Sequence, residues 1–488
     1  MIPPFLIMLA VLFVIYAILG VLAYRIPAKS LSDLYLAGRG IGAFALFMTM
    51  GATAASSYSL MGAYGYYYLQ GSGFLVWPLS QIPLVVSTWI VGKKIFAVGR
   101  KYQHETLADI FGHYYKSEVA ALLSAILVFL GAMFYTIAQV VGLGWLFMTL
   151  AGIPLNVTIL VVLAIMGVYC TLGGLRSVVW CDIVNGLIFC IIVVGAMALL
   201  LPPALEKGFF AAIPATHFTT PGPLGIWTAS FAFSWTTFMF WAGAVPWYVQ
   251  RFLAAKDLKA ARVGAIGGVF LSAFTGGIVG PILAYAMLAY MPGVKAPSDQ
   301  IPLLIVNKLS PIFAAIYGIG VWAAAVSTAD SCLVVAAQAL AKDFWYRFVT
   351  KIKRGSEVPA EKVARMGRLM VIVTTIISAA IGYGALLSPE LMTTIIMFTA
   401  IAWAMSFPFF LAFIGMYWYP SLRISKEGFI AASILFPAIA IPFQFGLGVP
   451  KNPFGIIGYA WGALISGVVA YIISIFTKRP PKELYVKE

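Results

Sequence analysis

Gly51-Ala52-Thr53-Ala54-Ala55-Ser56-Ser57-Tyr58-Ser59 sits in the middle of an apolar stretch, 41–69, that is long enough to cross a membrane. A helix needs about 20 residues to span the hydrocarbon core. The run has two readings. Small residues let helices pack closely in lipid. Alternatively, the helix is locally unwound and its carbonyls line a site, because irregular backbone inside a membrane is tolerated only against protein or a cavity. Five spans further on, Phe238-Met239-Phe240-Trp241-Ala242-Gly243-Ala244-Val245-Pro246-Trp247 poses the same choice. Its Gly and Pro make either a simple kink among packed aromatics or a second broken helix whose aromatic walls suit an organic solute. Each stretch opens a block of five spans, 41–204 and 225–419. An odd number of crossings sets the two blocks in opposite directions, and interrupted helices at matching positions of inverted repeats point to a transport site.

The rest of the chain supports a membrane reading. Of 488 residues, 62% are hydrophobic and 10% charged, with a mean hydropathy of +0.98. A soluble domain carries about 25% charged residues. Thirteen apolar spans can be drawn, near 4–24, 41–69, 73–95, 118–151, 155–173, 178–204, 225–250, 263–291, 309–340, 367–388, 391–419, 427–447 and 454–476. Lipid offers backbone groups no hydrogen bonds, so these spans must be helical. The fold class expected is an all-α integral membrane protein: one transmembrane domain, 1–488, with about thirteen helices. The spans 4–24 and 427–476 would lie outside the repeats. Met1-Ile-Pro-Pro-Phe has no positive residue before the first apolar stretch, which favours a retained span over a cleaved signal peptide.

The net charge of +15 would suggest nucleic acid in a soluble protein. Its placement here says otherwise. With the C-terminus inside, 27 Lys and Arg residues fall on the inner side, Arg251 among them, and only Lys207, Lys295, Lys308 and Lys451 fall outside. Such alternation is the positive-inside rule. It sets the N-terminus outside and the C-terminus inside, with the basic loops facing anionic lipid headgroups. Nucleic acid is not an expected partner, membrane lipid is, and no obligate protein partner is expected. The four cysteines fall in or beside apolar segments without metal-ligand spacing, and read as small buried hydrophobes. The three histidines are scattered in loops.

Ala323-Ala324-Ala325-Val326-Ser327-Thr328-Ala329-Asp330-Ser331 departs from a plain packing helix. Any one hydroxyl can bond back to the i−4 carbonyl. Three hydroxyls and a carboxylate within five residues ask for more. Ser327 and Ser331 are four apart and share a helix face, with Asp330 beside them. Hard oxygen donors suit Na+, and an intramembrane acid is a functional candidate by default.

Five motifs, in order along the chain, resemble those of the sodium/solute symporter family, from about Ile7 to Trp418. Asp33-Leu34-Tyr35-Leu36-Ala37-Gly38-Arg39 is similar to the motif before the first core helix, and Thr106-Leu107-Ala108-Asp109 to the "TLxD" loop. Gly173-Gly174-Leu175-Arg176-Ser177-Val178-Val179-Trp180-Cys181-Asp182 resembles "GGxxAVxWTD", with Cys181 in place of Thr. Val249-Gln250-Arg251-Phe252-Leu253-Ala254-Ala255-Lys256-Asp257 and Ser327-Thr328-Ala329-Asp330-Ser331 complete the set. The resemblance implies a LeuT-like fold of two inverted five-helix repeats and symport of Na+ with a small solute by alternating access. It implies a Na+ site of the Ala52, Ala55 and Ala324 carbonyls and the Ser327 and Thr328 hydroxyls. It also implies a second Na+ site or exit path at Asp182, Asp330 and Ser331, with Ser327 beside them.

Tyr135 matches an aromatic that contacts solute in proline symporters, and Phe238, Ala242 and Pro246 match the positions of a tryptophan, a tyrosine and a proline there, with Trp241 adjacent. Ala54 stands where those proteins have an aspartate. Gly92-Lys93-Lys94 and Gly152-Ile153-Pro154 resemble pantothenate symporters instead. Ser56, Ser57 and Gln81, with Tyr135, would hold the solute's polar groups. An amino acid such as proline, a monocarboxylate or a pantothenate-like compound fits the pattern. A proton-coupled carrier of the same fold, using Asp182 and Asp330, is the nearest alternative. A channel lacks a filter motif, and a membrane-embedded enzyme lacks convergent acids or a nucleophile.

Overall fold

The structure, a computed structural model, describes residues 3–71, 76–209, 211–352, 358–384, 386, 401 and 403–480. Its helices are α1 (Pro4–Tyr24), α2 (Leu31–Tyr35), α3 (Ala43–Ala54), α4 (Ser57–Leu60), α5 (Gly62–Gln70), α6 (Val76–Tyr102), α7 (Leu107–Tyr115), α8 (Glu118–Ala151), α9 (Leu155–Gly173), α10 (Leu175–Glu206), α11 (Ala229–Trp241), α12 (Pro246–Ala254), α13 (Ile266–Phe274), α14 (Gly280–Tyr290), α15 (Ile301–Leu309), α16 (Pro311–Gln338), α17 (Ala360–Gly384), α18 (Phe407–Tyr417), α19 (Lys426–Phe445) and α20 (Gly458–Phe476). Among the described residues the only extended pairing is an isolated bridge between Ile41 and Ala255.

Ten helical runs among the described residues are long and apolar enough to cross a membrane, one of them, Ala260–Tyr290, joining α13 and α14. They account for ten of the thirteen expected spans. The span expected at 41–69 is broken into α3, α4 and α5, and that at 225–250 into α11 and α12. The span at 391–419 lies outside the described residues over 391–400 and continues as α18. Residues 73–75 of the third span, Lys353 and Arg354 of the long polar loop, and Lys482 and Lys487 of the tail also fall outside them.

The helix limits follow local chemistry. Pro4, Pro246 and Pro311 stand in the first turns of α1, α12 and α16, where a missing N–H costs nothing. Ser30, Thr106, Ser117, Thr228, Ser310 and Ser425 each cap a helix by accepting from the amide three residues on. Gly152 and Gly446 end α8 and α19 in the left-handed region.

Helix α16 is the centre of the bundle. It packs against α1, α3, α8, α10 and α17, and is buried from Tyr317 to Gln338. A helix apolar on every side is stable only when surrounded. Helix α1 is instead peripheral: Ile7, Val11, Val14 and Ile18 form one exposed apolar stripe suited to lipid. The foot of α3 is tied to the end of α12. The Ile41 amide donates to the Ala254 carbonyl (3.2 Å) and the Lys256 amide to the Ile41 carbonyl (2.8 Å). The Arg100 guanidinium clamps this bridge, donating to the carbonyls of Arg39 (2.8 Å), Ala255 (2.6 Å) and Lys256 (2.9 Å).

Candidate functional site

The first break follows from where three amides go. In a continuous helix the amides of Ser56, Ser57 and Ser59 would serve the carbonyls of Ala52, Thr53 and Ala55. Here the Ser56 amide donates to Ser59 Oγ (3.2 Å), the Ser57 amide to Gln139 Oε1 (3.0 Å), and the Ser59 amide to the Ser56 carbonyl (3.0 Å). Ala55 and Ser56 are extended. The small and hydroxyl run is therefore a real interruption, and it releases three carbonyls into the protein interior.

All three turn toward α16. Ser327 Oγ lies 2.9 Å from the Ala52 carbonyl and 3.1 Å from that of Ala324. Thr328 Oγ1 lies 3.1 Å from the Thr53 carbonyl, 3.1 Å from that of Ala324, and in contact with that of Ala55. The five oxygens expected for Na+ come together, and the Thr53 carbonyl, which sequence reasoning missed, joins them. Ser327 and Thr328 have no accessible surface. Two hydroxyls supply one proton each, and those two protons face four carbonyls. The seam holds more acceptors than protons, all of them neutral, hard oxygens. Such a set suits a small monovalent cation.

Beneath the seam lies a buried charge cluster. The Arg251 guanidinium is within 3.5 Å of Asp182 Oδ2, and both side chains are fully buried. Arg251 also donates to Ser331 Oγ, Thr49 Oγ1 (3.3 Å) and the Trp247 carbonyl (3.2 Å). Thr49 Oγ1 donates to Asp182 (2.6 Å) and Tyr169 to Asp330 (2.6 Å). Asp182, Asp330 and Ser331 do gather here, but around a fixed cation. Counting Arg251 among the lipid-facing inner charges is thereby corrected. It sits in the interior of α12, held by five side-chain and backbone oxygens of its surroundings, because an unpaired Asp182 could not be buried without it.

Above the first break opens a cavity of about 380 Å³. Ser56, Ser57, Gln81, Tyr135 and Phe238 line it as expected. Trp241, Ala242 and Pro246 do not. Trp241 packs edge-on against Phe407 (5.2 Å between centroids), Ala242 is fully buried, and Pro246 starts α12 below. The reason is the second break, a 3-10 turn at Ala242–Ala244 that swings these three off the cavity face. Lining residues not foreseen include Gln139, Trp145, Trp227, Asp299 and Trp403. Gln139 had a signal: it is four residues from Tyr135 and shares its helix face. Tyr135 and Trp403 line the cavity with Trp247 behind them, Tyr135 stacking on Trp247 at 5.1 Å and Trp403 meeting both edge-on.

The "TLxD" residues are structural. Thr106 caps α7, and Asp109 pairs with Arg347 at 3.1 Å. Burial pushes the Asp109 carboxyl up, but Lys342 and its other partners outweigh that and hold it below the usual carboxylate range. Burial pushes His104, against His113, down to about 4.

Residues 34–435 match the sodium:solute symporter family. The chain is 27% identical over 454 residues to the sodium/pantothenate symporter of Haemophilus influenzae, covering 90% of this chain and 91% of that protein. It is 25% identical over 501 residues to the osmoregulated proline transporter OpuE of Bacillus subtilis, covering 98% and 96%. In fold it is similar to a Na+-coupled sialic acid symporter solved in a substrate-bound, outward-open state, with a TM-score of 0.78 at 17% identity over 98% of this chain and 99% of that one. The protein is a transporter rather than an enzyme, a multi-pass protein of the cell membrane, and its coupling ion is Na+. The match spans both helix breaks, the seam and the cavity walls, and on that ground this chain belongs to the sodium:solute symporter family.

Proposed function

We propose that this chain imports a small organic solute together with Na+ by alternating access, holding the ion at the seam between α3 and α16. The carbonyls of Ala52, Ala55 and Ala324 and the hydroxyls of Ser327 and Thr328 are its ligands, with the Thr53 carbonyl as a sixth. The observation that carries the reading is the surplus of neutral acceptors over protons at this seam. An ion bound there draws the first break onto α16. The same break sets the position of Ser57, which is held by Gln139 at the cavity wall. Ion and solute thus favour one another's binding, which is the thermodynamic requirement for coupling.

The fold is read as ten core helices in two inverted five-helix blocks, 41–204 and 225–419, with 4–24 and 427–476 peripheral, thirteen spans in all, and the N-terminus outside. The two breaks five spans apart and the one-sided placement of Lys and Arg support this. Ser56, Ser57, Gln81, Tyr135 and Phe238 contact the solute. Trp241, Ala242 and Pro246 serve as a hinge. Asp182, Asp330 and Ser331 form the ion's inner exit path, with the Arg251 guanidinium standing where a second Na+ would bind. Uptake is therefore activated by Na+ with a Hill coefficient of one. The relatives are named for pantothenate and proline, and the cavity is within the size range of small-molecule sites.

Counterflow of labelled solutes in proteoliposomes tests the coupling, with Na+ replaced by K+ at fixed pH. Exchange is expected only with Na+. Equal rates in K+ would overturn the seam as an ion site.

A further inference from the structure

Asp299 is the one charged residue among the described residues that line the cavity. It lies on the segment between α14 and α15, and its carboxylate is tucked against Gly62. A Cβ at Gly62 would stand 2.5 Å from Asp299 Oδ1 and 2.4 Å from the Tyr58 ring, so glycine there is what admits the acid beside the aromatic. Among the described residues no ion pair or hydrogen bond engages this carboxylate. Burial raises its pKa above the usual carboxylate range, as expected of an acid lacking a counter-charge. The wall around it is aromatic: Tyr58, Tyr66, Trp145, Trp227 and Trp235 all face the same space. No Lys, Arg or His lines the cavity among the described residues.

An anionic solute would find no cation here and one acid. A cationic nitrogen would find both of its preferred partners, a carboxylate and the faces of electron-rich rings. We propose that the solute's charged handle is an organic ammonium group, held between the Asp299 carboxylate and the aromatic wall of the cavity. This rests on the cavity being the solute site of a Na+-coupled carrier.

The test uses the purified full chain in saturating NaCl. Thermal stabilisation is measured with ammonium probes (choline, tetramethylammonium and proline methyl ester) and with carboxylate probes (pantothenate and acetate). At least one ammonium probe is expected to stabilise the protein, and Asp299→Asn to weaken it tenfold or more, while Asp299→Glu retains most of the affinity. Stabilisation by carboxylates alone, or by no ammonium probe, overturns the proposal. So does an Asp299→Asn variant that binds the ammonium probe within twofold of the parent, or one that weakens 22Na+ binding in the absence of solute, which would make Asp299 an ion-gathering residue. Asp299-dependent choline binding that survives when 22Na+ binding is intact in Ser327→Ala/Thr328→Ala supports this proposal while removing the seam as the ion site.

Discussion

At the first helix break, three carbonyls lose their helical donors and meet two hydroxyl protons. At the second, three of the groups set loose find partners in neighbouring parts of the chain. The Gly243 amide donates to Ser87 Oγ (3.2 Å), the Ser406 hydroxyl donates to the Trp241 carbonyl (3.3 Å), and the Val245 amide returns to the Ala242 carbonyl (3.2 Å). Every residue from Trp241 to Ala254 is buried, and a Cβ at Gly243 would stand 2.6 Å from the Ser87 and Thr88 backbone. The first break thus presents four carbonyls to two hydroxyl protons, whereas the second is closed over by the helices around it. The sequences differ in the same sense. Proline enforces the second break covalently, since it cannot continue a hydrogen-bond ladder. The first has no proline and depends on what its polar groups bind.

The two breaks communicate through Arg251, which follows the second and reaches the Ser331 and Asp182 oxygens below the first. Removing it should have the largest effect. Arg251→Ala leaves Asp182 as an uncompensated buried charge, at a cost of about 3–5 kcal/mol. The expected result is severe loss of folded protein on thermal unfolding in detergent. Arg251→Met with Asp182→Asn should recover most of it. An Arg251→Ala protein as stable as the parent would show that the two breaks are independent.

Next in size is the seam itself. Ser327→Ala with Thr328→Ala removes two of six oxygens while leaving the second break intact. Each contact to a charged group contributes about 1.5–3 kcal/mol, so 22Na+ affinity should fall by about 100-fold or more, and thermal stability should fall further in Na+ than in K+, where only the stranded carbonyls count. A loss of stability equal in Na+ and K+ would make the first break as self-sufficient as the second, and the contrast would fail.

The parts that could be read from the sequence follow the same contrast. Ser327 and Thr328 stood out because hydroxyls crowded into an apolar span have few other uses, whereas Ala52, Ala55 and Ala324 came only from the family resemblance. Thr53 escaped notice because its contribution is a carbonyl, which every residue carries. Ala242 and Pro246 were placed at the cavity by their match to proline symporters, with Trp241 beside them, and the 3-10 turn at Ala242–Ala244 keeps all three off its lining. Arg251 looked like a loop cation because its distance from a span edge says nothing about the acid facing it from α10. Asp299 and Trp403 reach the cavity from distant segments, and only the fold brings them there.

The smallest effect should come from the second break. Ser87 Oγ accepts from the Gly243 amide and donates to the Leu84 carbonyl at 2.9 Å. The hydroxyl therefore stitches the turn to α6. Ser87→Ala strands the Gly243 amide in a buried setting, which costs about 1–2 kcal/mol. The methyl leaves the chain's shape unchanged, so the effect should appear as a lower unfolding temperature and a changed uptake rate. Because the second break contributes no ion ligand, 22Na+ affinity should stay within twofold of the parent. A tenfold loss of Na+ affinity in Ser87→Ala would mean that the second break helps to set the carbonyls of the first, and that the two interruptions act as one site rather than as a filled break and a closed one.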